Sequence, residues 1–296
     1  MERSVRAHRD AGCDRGVAAV VVLYHPDSAV VGNLATWSGQ VDDILVFDNT
    51  EGEEVNPVVA EIAAHPRVTL VRTGRNEGVA HALNHAATAA VARGFSYLLT
   101  MDQDSRAEPD MVSELLLCMQ HEQTVPLGLV APVHLTGMRP VSPDGVRCRE
   151  VMIPMTSGSL LSLAAYEQTG RFRDDFFIDF IDNEYCLRLR RTGFAVVNAC
   201  GAFLYHRVGA GKHIGPFVIT HHAPVRRYYK TRNRFRVFSE YLSIFPLHCM
   251  FDLIRFVKEI LFIMVFESEK LAKLKMIWRG WCDFRQGRMG RYEAQP

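Results

Sequence analysis

Two carboxylates stand two residues apart at Asp102-Gln103-Asp104, directly after the apolar run Phe95-Ser-Tyr-Leu-Leu-Thr-Met101. Packing gives no reason for paired acids there. Unpartnered they repel each other, and any desolvation adds to the cost. A divalent cation bridging them to a phosphate removes both penalties, and hard oxygen ligands suit Mg2+ or Mn2+. An Asp-x-Asp alone is a weak signal, because short acidic triplets are common in surface loops. It gains meaning only if the chain supplies the other parts of a metal-assisted transferase.

A second cluster, Phe176-Phe-Ile-Asp179-Phe-Ile-Asp182-Asn-Glu184, sets three carboxylates in an otherwise apolar stretch. Asp182 is placed to cap a helix over 182–192, with Glu184 in a first turn where the helix dipole favours negative charge. Capping does not account for Asp179, flanked by Ile178 and Phe180, where an acid is costly without a purpose. A carboxylate at the edge of a pocket can take the proton from an attacking hydroxyl. In an inverting displacement at a sugar carbon, that base works on the face opposite the leaving group. If the leaving group is a nucleoside diphosphate, a cation at Asp104 meets its growing charge. Such a division of labour needs two separate acid clusters, and this chain has two.

The elements that must position these acids follow from hydrophobic patterning. Residues 16–24 form a valine-rich run, the mark of a strand buried on both faces, and His25-Pro26-Asp27-Ser28 breaks it. Residues 44–47 end in Asp48-Asn49-Thr50, and residues 68–71 lead into Arg75-Asn76-Glu77-Gly78. An alanine-rich helix is predicted over 79–93 with Gly94 as its stop, then a strand over 97–101. Strands alternating with helices imply an α/β fold with a parallel sheet and right-handed crossovers. Ligands of such sheets gather at the carboxyl ends of the strands, where every polar cluster named above falls. Beyond residue 128 the pattern is less regular, with short strands expected at 128–131, 151–154, 158–162 and 201–206. Further helices are expected over 226–242 and 246–274. There is no internal repeat.

At 296 residues and 48% hydrophobic, the chain can form one large domain or a domain with an appendage. A net charge of +1 argues against nucleic acid as a partner. Basic residues crowd the last third: residues 226–236 hold six cations and no acid. That run reads as a solvated helix face, as a segment closing over a diphosphate, or as a contact with anionic lipid. Residues 251–266 place Asp252, Arg255, Lys258 and Glu259 on one side, which makes this stretch amphipathic rather than membrane-spanning. It suits peripheral membrane contact, a homodimer contact or a core helix. Seven cysteines without a C-x-x-C pair argue against a structural zinc site or a stapled secreted scaffold, and for reduced thiols in a cytoplasmic protein. Residues 1–15 are charged, lack the apolar region of a signal peptide, and read as a flexible lead.

Taken in order, several short segments resemble family 2 glycosyltransferases of the GT-A fold, and most closely their bacterial rhamnosyltransferases. They are Val22-Leu-Tyr-His-Pro26, Val46-Phe-Asp48-Asn49, Asn76-Glu-Gly78-Val-Ala80-x-Ala-x-Asn84, Met101-Asp-Gln-Asp-Ser105 and Ser157-Gly158-Ser159. Phe177-Ile-Asp-Phe-Ile-Asp182-Asn-Glu-Tyr-Cys-Leu-Arg188, Tyr205-His206-x-x-Gly209 and Arg227-Tyr-Tyr-x-x-Arg232-Asn233 complete the set, so the resemblance runs from about residue 17 to 290. It implies a Rossmann-like, mostly parallel sheet flanked by helices. The catalytic domain would cover 16–222, with its nucleotide half over about 16–105 and its acceptor half over about 106–222. A helical C-terminal extension would occupy 223–296.

The resemblance also implies roles. Tyr24 and Pro26 would flank the base, and Asp48 with Asn49 would meet the pyrimidine or its ribose. Arg75, Asn76, Gly78 and Gln103 would line the nucleotide pocket. Asp104 would bind Mg2+ or Mn2+ directly, Asp102 would sit nearer the ribose or in the ion's outer shell, and His206 would be a further ligand. Asp182 aligns with the catalytic base and Asp179 is the alternative. Many members carry two adjacent acids at this point, where this chain has Ile181 before Asp182. The implied reaction is inverting transfer of L-rhamnose from dTDP-L-rhamnose to a glycan or lipid-linked glycan of a cell-surface polysaccharide such as O-antigen, at the inner face of the membrane. Another donor, such as a UDP-hexose or UDP-galactofuranose, stays open, as does a dead sugar-binding domain. A sugar nucleotidyltransferase would need a glycine-rich phosphate loop after the first strand, where this chain has Tyr24-His-Pro-Asp.

Overall fold

The structure is a computed structural model that describes residues 16–121, 124–135, 147–206, 211–214, 217–220 and 223–293, with backbone alone at 206, 211–214 and 217–220. The expected lead over 1–15 lies outside the described residues. In chain order the first half runs β1 (Val17–Leu23), α1 (Ala29–Ala35), β2 (Asp43–Asp48), α2 (Pro57–Ala63), β3 (Val68–Arg72), α3 (Val79–Ala92), β4 (Tyr97–Asp102), β5 (Ser105–Ala107) and α4 (Met111–Met119). Then come β6 (Leu127–Leu135), β7 (Cys148–Glu150), β8 (Ser159–Ser162), α5 (Leu163–Thr169), α6 (Ile181–Arg191), β9 (Ala195–His206) and a small hairpin, β10 (Gly211–Ile214) with β11 (Phe217–Thr220). Three helices follow: α7 (Pro224–Tyr241), α8 (Pro246–Phe266) and α9 (Lys270–Arg285).

The main sheet has the order β3-β2-β1-β4-β8-β6-β9-β5, with β7 on β9. The four strands β3-β2-β1-β4 are parallel, as the alternating pattern demands. Beyond β4 the sheet is mixed, because β8 runs antiparallel to β4 and β6 while β6 and β9 are parallel. Continuous apolar runs are needed because each strand feeds two cores. Ala18 and Val20 pack with α3, α5 and α6, whereas Val17, Ala19 and Val21 pack with α1, α2 and α4 on the other face.

Several local expectations change. The strand expected at 151–154 is absent; pairing stops at Glu150 in β7. The strand expected at 201–206 begins at Ala195 and spans twelve residues. The single helix expected over 246–274 is two, broken at Glu269 with φ of 53°. Helices α1, α2, α4 and α5, of seven to nine residues, carry too few turns to show a period in sequence. Instead of reduced thiols throughout, Cys118 at the end of α4 and Cys148 in β7 are bonded to each other.

The basic C-terminal run is mostly interior. Arg227 and Lys273 both pair with the buried Glu267, at 2.6 and 2.7 Å, and Arg234 pairs with Asp252 and Glu259 on α8. At Gly280 the helices α7 and α9 nearly touch: a Cβ there would lie 2.5 Å from the Tyr228 carbonyl oxygen. This packing turns Asp252 and Glu259 of α8 toward α7, while Arg255 and Lys258 stay exposed, and it leaves Leu247, Phe251, Ile254, Val257, Leu261 and Val265 exposed along the outer side. Among the described residues no helix is long and apolar enough to cross a membrane.

Candidate active site

The first acid cluster sits where β4 gives way to β5. The amide of Asp102 donates to Ser157 Oγ at 3.1 Å, and that hydroxyl bonds the buried Ser105 hydroxyl at 2.8 Å, bracing the turn from both ends. Gln103 ties the same turn to the end of β1, accepting from the Tyr24 amide at 2.9 Å and donating to the Tyr24 carbonyl at 3.2 Å. Asp102 is exposed and Asp104 half-buried. Pairing of β5 with β9 sets His206 opposite Ser105, one residue from Asp104. The His206 side chain lies outside the described residues.

The second cluster depends on a contorted loop. Phe177, Asp179 and Phe180 have φ of 65°, 62° and 66°, left-handed values that cost a non-glycine residue roughly 1–2 kcal/mol each. Asn233, fully buried on α7, donates from one amide nitrogen to the carbonyls of Phe176, Ile178 and Asp179 at 3.0, 2.9 and 2.8 Å. The equally buried Arg232 beside it holds the carbonyls of Asp175 and Phe176. From the other side, the Val79 amide bonds the Phe177 carbonyl at 2.8 Å. Gly78 must be glycine here: its φ is 87°, and a Cβ would stand 2.6 Å from the same oxygen. Thus Asn76-Glu-Gly and Arg232-Asn233, far apart in sequence, grip one loop.

That loop fixes the roles of its acids. Phe180, in the left-handed conformation, occupies the cap position, so Asp182 is not the cap; it stands in the first turn with Oδ1 accepting the Asn183 amide at 2.8 Å. Desolvation pushes the Asp182 carboxyl above the usual carboxylate range, the negative charge of Asp179 adds to this, and a hydrogen bond from Thr156 opposes it. Asp179 is held bidentately by Arg226, at 2.5 and 3.1 Å, which leaves Asp182 the better proton acceptor of the two. Glu184 is buried in a pair with Arg188 at 2.8 Å and accepts from the Tyr241 hydroxyl at 2.9 Å, a packing role.

One cavity of about 460 Å³ joins the clusters, with Asp102 on one wall and Asp179 and Asp182 on another. Arg226 and Lys230 line it as well, and Asp252 and Arg255 of α8 close its far end. Asp104 is outside this lining. Burial pushes the Lys230 amine below its usual value. Reading the sequence did not single out Arg226 or Lys230; both lay inside a basic run whose other members proved structural, and no local signal separates them.

Of the expected nucleotide residues, Asp48 is wholly buried, accepting from the Thr50 amide and from Arg72, both at 3.0 Å. Buried Asn49 braces the next loop, donating to the Gly78 carbonyl and accepting from the Glu77 amide. Asn76 accepts from the Gly78 amide, Arg75 points outward beside Glu77, and the Pro26 carbonyl accepts from Asn56. Tyr24 is exposed at the rim. Two further residues arrive there unannounced: Glu51, and Arg291 from the far end of the chain, 3.2 Å apart.

Among the described residues no group of three or more side chains is arranged to hold a metal. The donors that are present, two carboxylates on one accessible turn, fit an ion such as Mg2+ that keeps several waters and takes the rest of its shell from phosphates.

Residues 29–137 match the family model described as glycosyl transferase family 2. The chain is 28% identical over 235 residues to dTDP-rhamnosyl transferase RfbF of Shigella flexneri, covering 74% of this chain and 78% of that one. In fold it is similar to the mannosyltransferase PcManGT from Pyrobaculum calidifontis in complex with GDP-Man and Mn2+ (TM-score 0.60, 14% identity, 96% of this chain and 87% of that one). It is also similar to S. aureus TarS 1-349 in complex with UDP-GlcNAc (TM-score 0.57, 13% identity, 92% and 81%). Sheet order, acid placement and these matches together define a glycosyltransferase of GT-A fold. Its residues 29–137 match family 2, and the chain is similar to a rhamnosyltransferase.

Proposed function

We propose that this enzyme moves L-rhamnose from dTDP-L-rhamnose to a sugar hydroxyl with inversion. The observation that carries the proposal is the single cavity shared by Asp102 and Asp182. An acceptor entering from the α8 side reaches Asp182 first, while the donor's diphosphate lies toward the β4 end. The Asp182 carboxylate takes the acceptor's proton as its oxygen bonds to the anomeric carbon, and the bond from that carbon to the diphosphate oxygen breaks to release dTDP. Arg226 holds Asp179 in a bidentate pair and out of this exchange. Asp104 and Asp102, with His206 as a further ligand, would hold Mg2+ or Mn2+, which supplies positive charge to the diphosphate. Asp48, Asn49, Asn76 and Gly78 shape the floor of the nucleotide pocket, with Tyr24, Pro26, Arg75 and Gln103 around its rim.

The similarity to a dTDP-rhamnosyl transferase supports dTDP-rhamnose over UDP-hexose or UDP-galactofuranose. Asp182→Asn is expected to keep dTDP affinity within about twofold and to lower kcat by about 10²-fold or more, the usual range for losing a general base. Near-normal turnover in that variant would place the base elsewhere.

The outer side of α8 further suits a peripheral contact with the inner face of a membrane carrying a lipid-linked glycan acceptor. Its apolar stripe runs the length of a helix of 21 residues, and Lys258, Lys270 and Lys275 are exposed on α8 and α9. Acceptor sugars would then approach Asp182 past Asp252 and Arg255, which line the cavity.

A further inference from the structure

After α9 the chain does not trail away; it returns to the nucleotide end of the sheet. The buried Arg232 donates to the Gly290 carbonyl at 2.6 Å, and the Gly290 amide donates to the Asp175 carbonyl at 2.7 Å. One residue beyond Arg291, the Tyr292 amide donates to the Tyr229 hydroxyl at 2.6 Å and its ring packs 4.6 Å from Tyr228. Arg291 is therefore fixed by backbone anchors on both sides. Its guanidinium lies 3.2 Å from Glu51, 3.3 Å from the Asn76 carbonyl and above the Phe177 ring. The nearby Tyr24 phenol is pushed up by burial and by the charge of Glu51.

Stability does not explain this arrangement, since an ion pair half open to water contributes little. Location does. Glu51 follows β2, Asn76 follows β3 and Tyr24 follows β1, whereas the Asp102 turn follows β4. In a sheet of order β3-β2-β1-β4 with strands about 4.8 Å apart, the β2 and β3 loops lie roughly 10–14 Å from the β4 end. That separation accommodates a nucleoside diphosphate lying across the strand ends, phosphates at β4 and base at Glu51. Asp48 is fully enclosed with both oxygens engaged, so another group must meet the ring edge of that base.

We propose that Arg291 and Glu51 together read the base, an inference that rests on the nucleotide-sugar function argued above. The guanidinium donates to a ring carbonyl, the carboxylate accepts from the neighbouring N3–H, and the Tyr24 ring lies against the base. A donor beside an acceptor complements the carbonyl and N3–H of thymine or uracil. Cytosine presents an unprotonated N3 at the same place and turns a lone pair toward the carboxylate. The pair is thus a specificity determinant for pyrimidine diones, carried partly by the segment that follows α9.

The test is calorimetric titration of the full-length protein with dTDP, UDP and CDP in the presence of Mn2+. Wild type is expected to bind dTDP and UDP at least tenfold tighter than CDP. Arg291→Ala should weaken dTDP about tenfold, with partial recovery in Arg291→Lys. Glu51→Gln, whose amide can donate to N3, should bring the dTDP and CDP affinities within about threefold of each other. If both variants keep the wild-type dTDP affinity, or weaken all three nucleotides equally with the ratio intact, the base-reading role is wrong. Wild type that binds none of the three would instead overturn the nucleotide-sugar function itself.

Discussion

Replacing Asn233 by alanine tests whether the catalytic loop is strained and pinned. The Asn233 amide group has two N–H bonds serving three carbonyls, those of Phe176, Ile178 and Asp179. Each buried hydrogen bond is worth about 1 kcal/mol net, and stranding the carbonyls adds to that, so the loss is roughly 2–3 kcal/mol. Against the pin stand the three left-handed residues Phe177, Asp179 and Phe180, which together store roughly 3–6 kcal/mol. Arg232 still holds the Asp175 and Phe176 carbonyls, so the first part of the loop stays seated while the Ile178–Asp179 part relaxes. At 1.4 kcal/mol per factor of ten, the competent arrangement loses about 30- to 100-fold in weight, which sets the largest expected fall in kcat. The fall in dTDP affinity should be smaller. Hydrogen exchange should speed up at residues 176–182 while β1 and β4 stay protected. An Asn233→Ala protein with wild-type kcat and unchanged exchange in this loop would refute the pinning argument.

Two other perturbations probe charge and surface. As the proposed base Asp182 must be ionised to act, so its raised pKa is expected to place the acid limb of the kcat profile above the usual aspartate range; Asp179→Asn removes a like charge and leaves Arg226 without its carboxylate partner, so the limb should move to lower pH. A limb that stays fixed or moves up would contradict the assigned base. By linkage, burying Asp182 favours its protonated form, so this group's contribution to stability declines as pH rises from the ordinary carboxylate value to the raised one. On the outer side of α8, Phe251→Asp with Ile254→Asp should reduce co-sedimentation with anionic phosphatidylglycerol vesicles about tenfold or more while leaving the melting temperature nearly unchanged, because both side chains are exposed. Equal vesicle binding by the double variant, or a wild type that forms a dimer through this face and ignores lipid, would reject the membrane contact.

The parallel half of the sheet was legible in the sequence because doubly buried strands must be uninterrupted apolar runs, and β1, β2 and β4 carry such runs. Both acid clusters were visible for the complementary reason: carboxylates beside such runs are costly unless something meets them. The sequence could not show that Asp102 and Asp182 share one cavity, since that depends on β8 entering beside β4 and on the loop before α6 being bent back. The basic run at 226–236 misled for a related reason. A row of cations looks like a solvated face until the acids it meets, Asp179, Asp252, Glu259 and Glu267, are brought in from other elements. Composition along the chain therefore determined which strands exist and which apolar residues lie inside. Pairing between residues dozens to hundreds apart decided which charges are neutralised, which acids share a cavity, and that Arg291 would lie beside the first strands.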